Sequence, residues 1–309
     1  MISSIFEKTK PVNFIILLVF LFLFYWSVQF YLFDLTMSNV EIAPSIGILT
    51  ILLFSVFVVD FVVKRNKLTG TNSFAILFFT LLFVVFPETL GDNNAIFTSF
   101  FLLLAMRRLL SIKSLKSIKL KIFDAGLWIC ISSVFYEWAL LYLLLVFAAI
   151  YIYDPKNIRN WLVLLSAGFC FFMILYGILI LLDKPSFILD HYDFAIDYDA
   201  IFPIKWWTSL KMTLYALFNM ALAFSAFVNL SKSGVGKVII MRLIAFSFII
   251  GLIVNVLVIT ENNNAVMITF FPSVVFIVNY LEFIKKPKFL ELILIASIMV
   301  PIIVFVTKL

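Results

Sequence analysis

Polar residues interrupt this chain only briefly, and the apolar runs between them set its architecture. The runs lie at about Asn13–Phe33, Ser45–Val63, Phe74–Phe86, Ala95–Met106, Ile122–Tyr136, Trp138–Tyr153, Trp161–Leu182, Thr208–Leu230, Leu243–Thr260, Ala265–Ile284 and Phe289–Val306. A segment in hydrocarbon must satisfy its backbone polar groups internally, which a helix does. The expected fold is therefore an all-α polytopic membrane protein with about eleven transmembrane helices, forming one integral-membrane domain over residues 1–309.

Four runs are short. A spanning helix needs ~20 apolar residues for a ~30 Å core, and runs of 12 to 16 residues reach only about 18–24 Å at ~1.5 Å per residue. These four read as two hairpins. The first turns through Pro87–Asn94 and the second at Glu137, and between them lies Arg107–Lys121, with six basic residues and no acid. Lys113, Lys116 and Lys119 recur among Leu109, Ile112, Leu115 and Ile118, so this segment is expected to lie as a helix on the inner surface. There Arg107, Arg108, Lys113, Lys116 and Lys119 would bind anionic lipid.

Charge fixes the orientation. With the N-terminus cytoplasmic, nineteen of the 23 lysines and arginines fall on the inner side, leaving Lys184, Lys205, Lys211 and Lys308 outside. That is a positive-inside pattern, and it explains the net charge of +6 without nucleic acid. Asn13–Phe33 has no small-residue cleavage site after it and reads as a retained first helix. The longest outer segment, Asp183–Lys205, interleaves carboxylates with Phe187, Tyr192, Phe194, Tyr198 and Phe202, which suits a lid. No run of polar residues is long enough for a soluble domain of ~50 residues or more.

The candidate chemistry is carboxylate. Asp34, Glu88 and Glu137 lie at outer ends of apolar runs, and Glu137 is the single charge in Ala125–Tyr153; ionisable groups at membrane depth are functional by default. Glu88 and Glu137 are expected to share an outward aqueous cleft, as candidates for acid–base catalysis, against the plainer reading of solvated loop carboxylates. Asp92, four residues after Glu88, would share its face in a helical turn. Asp190, the sole histidine His191, and Asp193 form a thin metal candidate. Asp60 and Lys64 read as an i,i+4 ion pair, Asn219, Asn255 and Asn279 as interhelical hydrogen-bonders, and Cys130 and Cys170 as packing residues. No nucleotide loop, nucleophile elbow or zinc-protease motif occurs, and no cofactor is indicated.

The segments Lys121–Phe147, Asp154–Gly168 and Asn262–Lys286 resemble an uncharacterised family of bacterial multi-pass inner-membrane proteins, across the whole chain. The order of basic inner loop, short outer turn and late proline-containing helix is also similar to the C-type integral-membrane glycosyltransferases. That second resemblance implies handling of a lipid-linked saccharide, with Asp34 at the end that carries the acidic residue there. In this chain the first outer loop, Asp34–Pro44, is short and no arginine faces outward. The alternatives are a non-catalytic subunit that meets partner membrane proteins in an envelope or secretion assembly and, third, a transporter.

Overall fold

The computed structural model describes residues 2–34, 39–194, 206–230, 234–258 and 264–306. Their regular structure is entirely helical. In chain order the helices are α1 (Ile2–Phe6), α2 (Pro11–Leu32), α3 (Asn39–Asn66), α4 (Phe74–Val85), α5 (Asn93–Leu110), α6 (Ile118–Ser132), α7 (Leu143–Tyr153), α8 (Ile158–Leu181), α9 (Phe187–His191), α10 (Trp206–Leu230), α11 (Val235–Val258), α12 (Phe270–Phe283) and α13 (Pro287–Val306). Short 3-10 turns occupy Pro87–Leu90, Ser111–Ser114, Glu137–Tyr142 and Ala265–Thr269. Among the described residues, eight helices are long and apolar enough to cross a bilayer, so this is a multi-pass membrane protein. The expected count of about eleven would also need α4, α6 and Glu137–Tyr153, which fall short of that length.

The helix at the centre is α4. Its sequence FAILFFTLLFVV is apolar on every side, and all side chains from Phe74 to Val84 are buried, as a helix without a polar face must be. Because other helices cover it, its 12 residues, about 18 Å, need not match the hydrocarbon. Its two ends are tied to α2. Asn13 Nδ2 donates to Ser73 Oγ at 3.1 Å and the Ser73 N–H donates to Phe6 O at 2.8 Å, while at the far end Gln29 Nε2 donates to Leu90 O at 2.8 Å. Two residues of one helix thus bracket α4, which runs parallel to α2. On α12, the Phe270 ring meets Phe83 edge-on at 5.3 Å.

Other turn-to-turn bonds keep the same two ends apart. Glu282 Oε1 accepts the Gly70 N–H and Asn72 Nδ2, each at 2.6 Å, Asn279 Nδ2 donates to Leu68 O at 3.1 Å, and Lys113 Nζ donates to Asn66 O at 2.9 Å. All of these join segments carrying the basic clusters. Of the three asparagines expected to bridge helices, Asn279 Nδ2 reaches the turn after α3 at Leu68 O as well as its own helix at Val275 O, Asn219 Nδ2 bonds its own helix at Tyr215 O, and Asn255 Oδ1 has no hydrogen-bond partner among the described residues.

Two expectations need correction. The first hairpin is not one: α4 packs on α3, α12 and α13, while α5 packs on α6 and α3. Nor is α5 short, because the helix continues through Arg107 and Arg108 to Leu110; straight-chain basic residues are good helix formers that reach back along the surface. For the same reason Arg107–Lys121 is not an independent surface helix. It is a corner, comprising the end of α5, a 3-10 turn and the start of α6, broken where Leu115 and Ser117 take φ of 54° and 51°, a region that disfavours continued right-handed helix. Arg108 pairs with Asp124 at 3.0 Å and Lys121 Nζ donates to Ser111 O at 2.6 Å, closing the corner. Partial burial, then the Arg108 charge, lowers the Lys121 ammonium from its ordinary pKa.

Gly251 marks a tight crossing in the interior. A Cβ there would lie 2.8 Å from Tyr142 Oη and 2.9 Å from Thr269 Cγ2, where α11 passes two 3-10 turns. Gly251→Ala is expected to lower the melting temperature in detergent, by the ~1–3 kcal/mol of an overpacked core, against its gain in helix propensity. Gly168→Ala, whose Cβ meets nothing within 4 Å, is expected to hold or raise it.

Candidate functional site

Several helix ends on one side of the molecule converge on Asp92. It is the N-cap of α5, with Oδ1 accepting the Ala95 N–H at 3.0 Å. Its Oδ2 accepts the Asn264 N–H at 2.8 Å and the Tyr136 hydroxyl. Asp92 is 6% exposed, and these bonds commit both oxygens, which is the condition for keeping a carboxylate inside protein. One side chain therefore joins the turn after α4, the end of α6 and the turn before α12.

This arrangement separates the carboxylates expected to share a cleft. Glu88 points to α10, where Lys211 Nζ lies 3.1 Å from Oε1 and 4.4 Å from the centroid of the Phe86 ring. Glu137 opens the 3-10 turn on the other side of Tyr136, half-buried. Asp34 is exposed at the end of α2 with φ 48°.

The segment after α8 does fold over a helix tip. His191 Nε2 lies 2.8 Å from Ser133 O and Tyr192 Oη 2.9 Å from Ser133 Oγ, while Phe194 meets Trp138 edge-on at 5.3 Å. It covers the α6 end. The rest of the expected lid, 195–205, lies outside the described residues. Asp190 and Asp193 are exposed, and among the described residues no three His, Cys, Asp or Glu side chains converge as a metal would need. The imidazole is instead occupied with a carbonyl oxygen and stacked on Phe187 at 4.9 Å.

A large concave feature lies beside α4. There α13 packs on α4, α10 packs on α12, and between α10 and α13 opens a groove of about 930 Å³, within the ~300–1,000 Å³ of ligand clefts. Phe78, Leu81, Leu82 and Val85 of α4 form its floor, and Val300 and Pro301 of α13 one wall. The α10 wall presents Lys211, Tyr215 and Asn219, a helical i, i+4, i+8 stripe. Leu214, Phe218, Val300 and Val304 on the two rims are exposed, so the groove faces sideways, in the direction of lipid. Lys211, bonded to Glu88, stands at one end of it. Tyr215 Oη is engaged behind the wall with Thr269 Oγ1 at 2.9 Å and with Ser273 Oγ.

Sequence reasoning passed over Lys211, although the signal was present: it is the only charge in the apolar run Thr208–Leu230, the criterion that singled out Glu137. On the opposite face, Arg107 lies over the Phe61 ring at 4.8 Å and Lys113 binds Asn66 O. Lys116 and Lys119 are exposed beside Leu115 and Leu120, themselves 59% and 66% exposed. Comparison with family models, curated proteins and solved structures finds no match. Any functional reading stands on these residues.

Asp92→Ala strands the buried Tyr136 hydroxyl and Asn264 N–H. At ~1–3 kcal/mol for each buried unsatisfied group, unfolding in detergent is expected to shift down by several degrees or more. Glu88→Gln loosens a partly exposed pair with Lys211 worth ~0–1 kcal/mol and is expected to leave the transition nearly in place.

Proposed function

We propose that this protein belongs to the bacterial inner membrane, with its N-terminus cytoplasmic and eleven crossings, and that it handles a lipid-linked saccharide at its outer face in a glycosyltransferase-like manner. The observation that carries the reading is the groove: an apolar channel open to the bilayer that ends at a lysine and a carboxylate 3.1 Å apart. A lipid chain fits the apolar part, a phosphate the Lys211 ammonium, and sugar hydroxyls the Glu88 carboxylate. Lysine serves here as a point charge where arginine would give a planar fork. Of Asp34, Glu88 and Glu137, only Glu88 pairs with a groove residue, which makes it the carboxylate positioned to take a proton from a sugar hydroxyl. The crossing order is supported by hydrogen bonds that join basic turns at one end and acidic turns at the other. Lys116 and Lys119, with Leu115 and Leu120, rest on anionic lipid of the inner leaflet.

Single cysteines at Ser114 and Ser186, both exposed, report the topology. An impermeant thiol reagent is expected to label position 186 and not 114 in cells whose outer barrier has been opened; the reverse pattern inverts the orientation. For the groove, Ala296→Trp places an indole in its wall. Lipid-linked saccharide extracted from purified protein is expected to fall by about tenfold or more in that variant while the protein stays folded, and Glu88→Gln is expected to keep the lipid and lose turnover. Lipid retained equally by Ala296→Trp removes the reading, and a stoichiometric partner protein with an empty groove favours the subunit alternative.

A further inference from the structure

The three helices that build the groove line it over matching lengths. The lining runs from Phe78 to Phe86 along α4, from Leu210 to Asn219 on α10 and from Ala296 to Val304 on α13. Each stretch advances eight or nine residues, about 12–14 Å along a helix axis. At the Lys211 end the three coincide: Lys211 Nζ lies 4.4 Å from the Phe86 ring centroid, and Phe305, next to Val304, meets Phe24 of α2 at 4.9 Å, a little over one turn before the Gln29 that binds Leu90 O. Past the other end the helices are packed. Leu290 and Leu294 on α13 and Leu222 and Ala226 on α10 are buried, and α1 lies against α13, with the Ser3 N–H donating to Glu291 Oε2 at 3.0 Å. Half of a ~30 Å hydrocarbon core is ~15 Å, so the groove is one leaflet deep. That proportion selects the occupant. A partner's spanning helix of ~20 residues is ~30 Å long and would be seated over less than half of its length. A lipid chain drawn sideways needs no longer seat, because the exposed rims at Leu214, Phe218, Val300 and Val304 let whatever lies past the groove return to hydrocarbon.

We propose that the groove is a one-leaflet measure: it holds the head-group end of an alkyl phosphate drawn from the leaflet on the Lys211 side and leaves the rest of the chain in the bilayer. This rests on the reading of the groove as a lipid site with a phosphate at Lys211, and it adds a specificity. Carbon–carbon bonds of about 1.5 Å advance an extended chain by about 1.25 Å each, so about ten carbons lie in the groove. Within that length the protein selects, because a branch there must push aside the packed side chains of the α4 floor. Beyond it selection fades, since lipid tails are as apolar as the leucines the chain has left. The site therefore discriminates against thickness near the head group and tolerates any chain longer than about ten carbons. A lipid held in this way enters and leaves by the leaflet it came from.

The test uses full-length protein, stripped of lipid in detergent, with three probes: hexadecyl phosphate, and hexadecyl phosphate carrying a tert-butyl branch at the sixth or at the fifteenth carbon. The probes compete at equal mole fraction in the detergent phase, and binding is read by native mass spectrometry. The sixth-carbon branch is expected to weaken binding about tenfold or more, as overpacking does, and the fifteenth-carbon branch to change it by less than about twofold. Ala296→Trp is expected to weaken the unbranched probe about tenfold. Equal loss from both branches means that the protein encloses the whole chain, and equal tolerance means that it does not read the chain; either result, with Ala296→Trp still weakening the unbranched probe, overturns the measure and leaves the groove reading intact. Failure of the unbranched probe to bind, or binding unaffected by Ala296→Trp, overturns both, as does a co-purifying membrane protein that Ala296→Trp releases.

Discussion

A carboxylate that has left water must be held on every side, and Asp92 is held by three elements at once. Its bonds to the Ala95 N–H, the Asn264 N–H and the Tyr136 hydroxyl bring ends of α5, α6 and α12 together where lipid could satisfy none of them. The same constraint explains α4. A 12-residue helix cannot present its ends to hydrocarbon, so Asn13 meets Ser73 at one end and Gln29 meets Leu90 O at the other. Without those partners the short helix would leave backbone groups unpaired at membrane depth, each at a cost of several kcal/mol.

Much of this architecture was legible in sequence because apolar runs and charge clusters report burial and sidedness directly. Helix positions followed the runs closely, as with Phe74–Phe86 against α4 or Trp161–Leu182 against α8. Helix ends were harder. Arg107 and Arg108 looked like the limit of α5, yet a basic side chain at a helix terminus favours the dipole and prolongs the helix. The break came instead at Leu115 and Ser117, whose positive φ no side-chain type announces. Asp60 and Lys64 paired as expected at 2.7 Å, a contact set by helical spacing alone.

The candidate site was legible only by residue type. Acidic residues at outer ends were visible, but which of them would be consumed as structure was not, since that depends on partners distant in the chain. Asp92 and Asn264 are 172 positions apart, and Lys211 and Glu88 are 123 apart. The expected pairing of Glu88 with Glu137 assumed that consecutive short runs pack side by side. Their packing is different: α4 turns toward α12 and α13, and α5 toward α6. The carboxylates follow their helices to separate places.

The groove is a further consequence of the short central helix. Its walls, α10 with 25 residues and α13 with 20, are about 38 Å and 30 Å long, against about 18 Å for the floor. Long helices flanking a short one close over it only if each packs against it along its length. Here α13 does, while α10 packs on α12, and along the gap α10 carries Lys211, Tyr215 and Asn219 in a stripe beside Leu210, Leu214 and Phe218. A polar stripe of this kind is poor packing material. It persists where something else completes it, and two of its three members are completed from within the protein, Lys211 by Glu88 and Tyr215 by Thr269 and Ser273. The third, Asn219, is completed on its nitrogen side by Tyr215 O, and its carbonyl has no hydrogen-bond partner among the described residues.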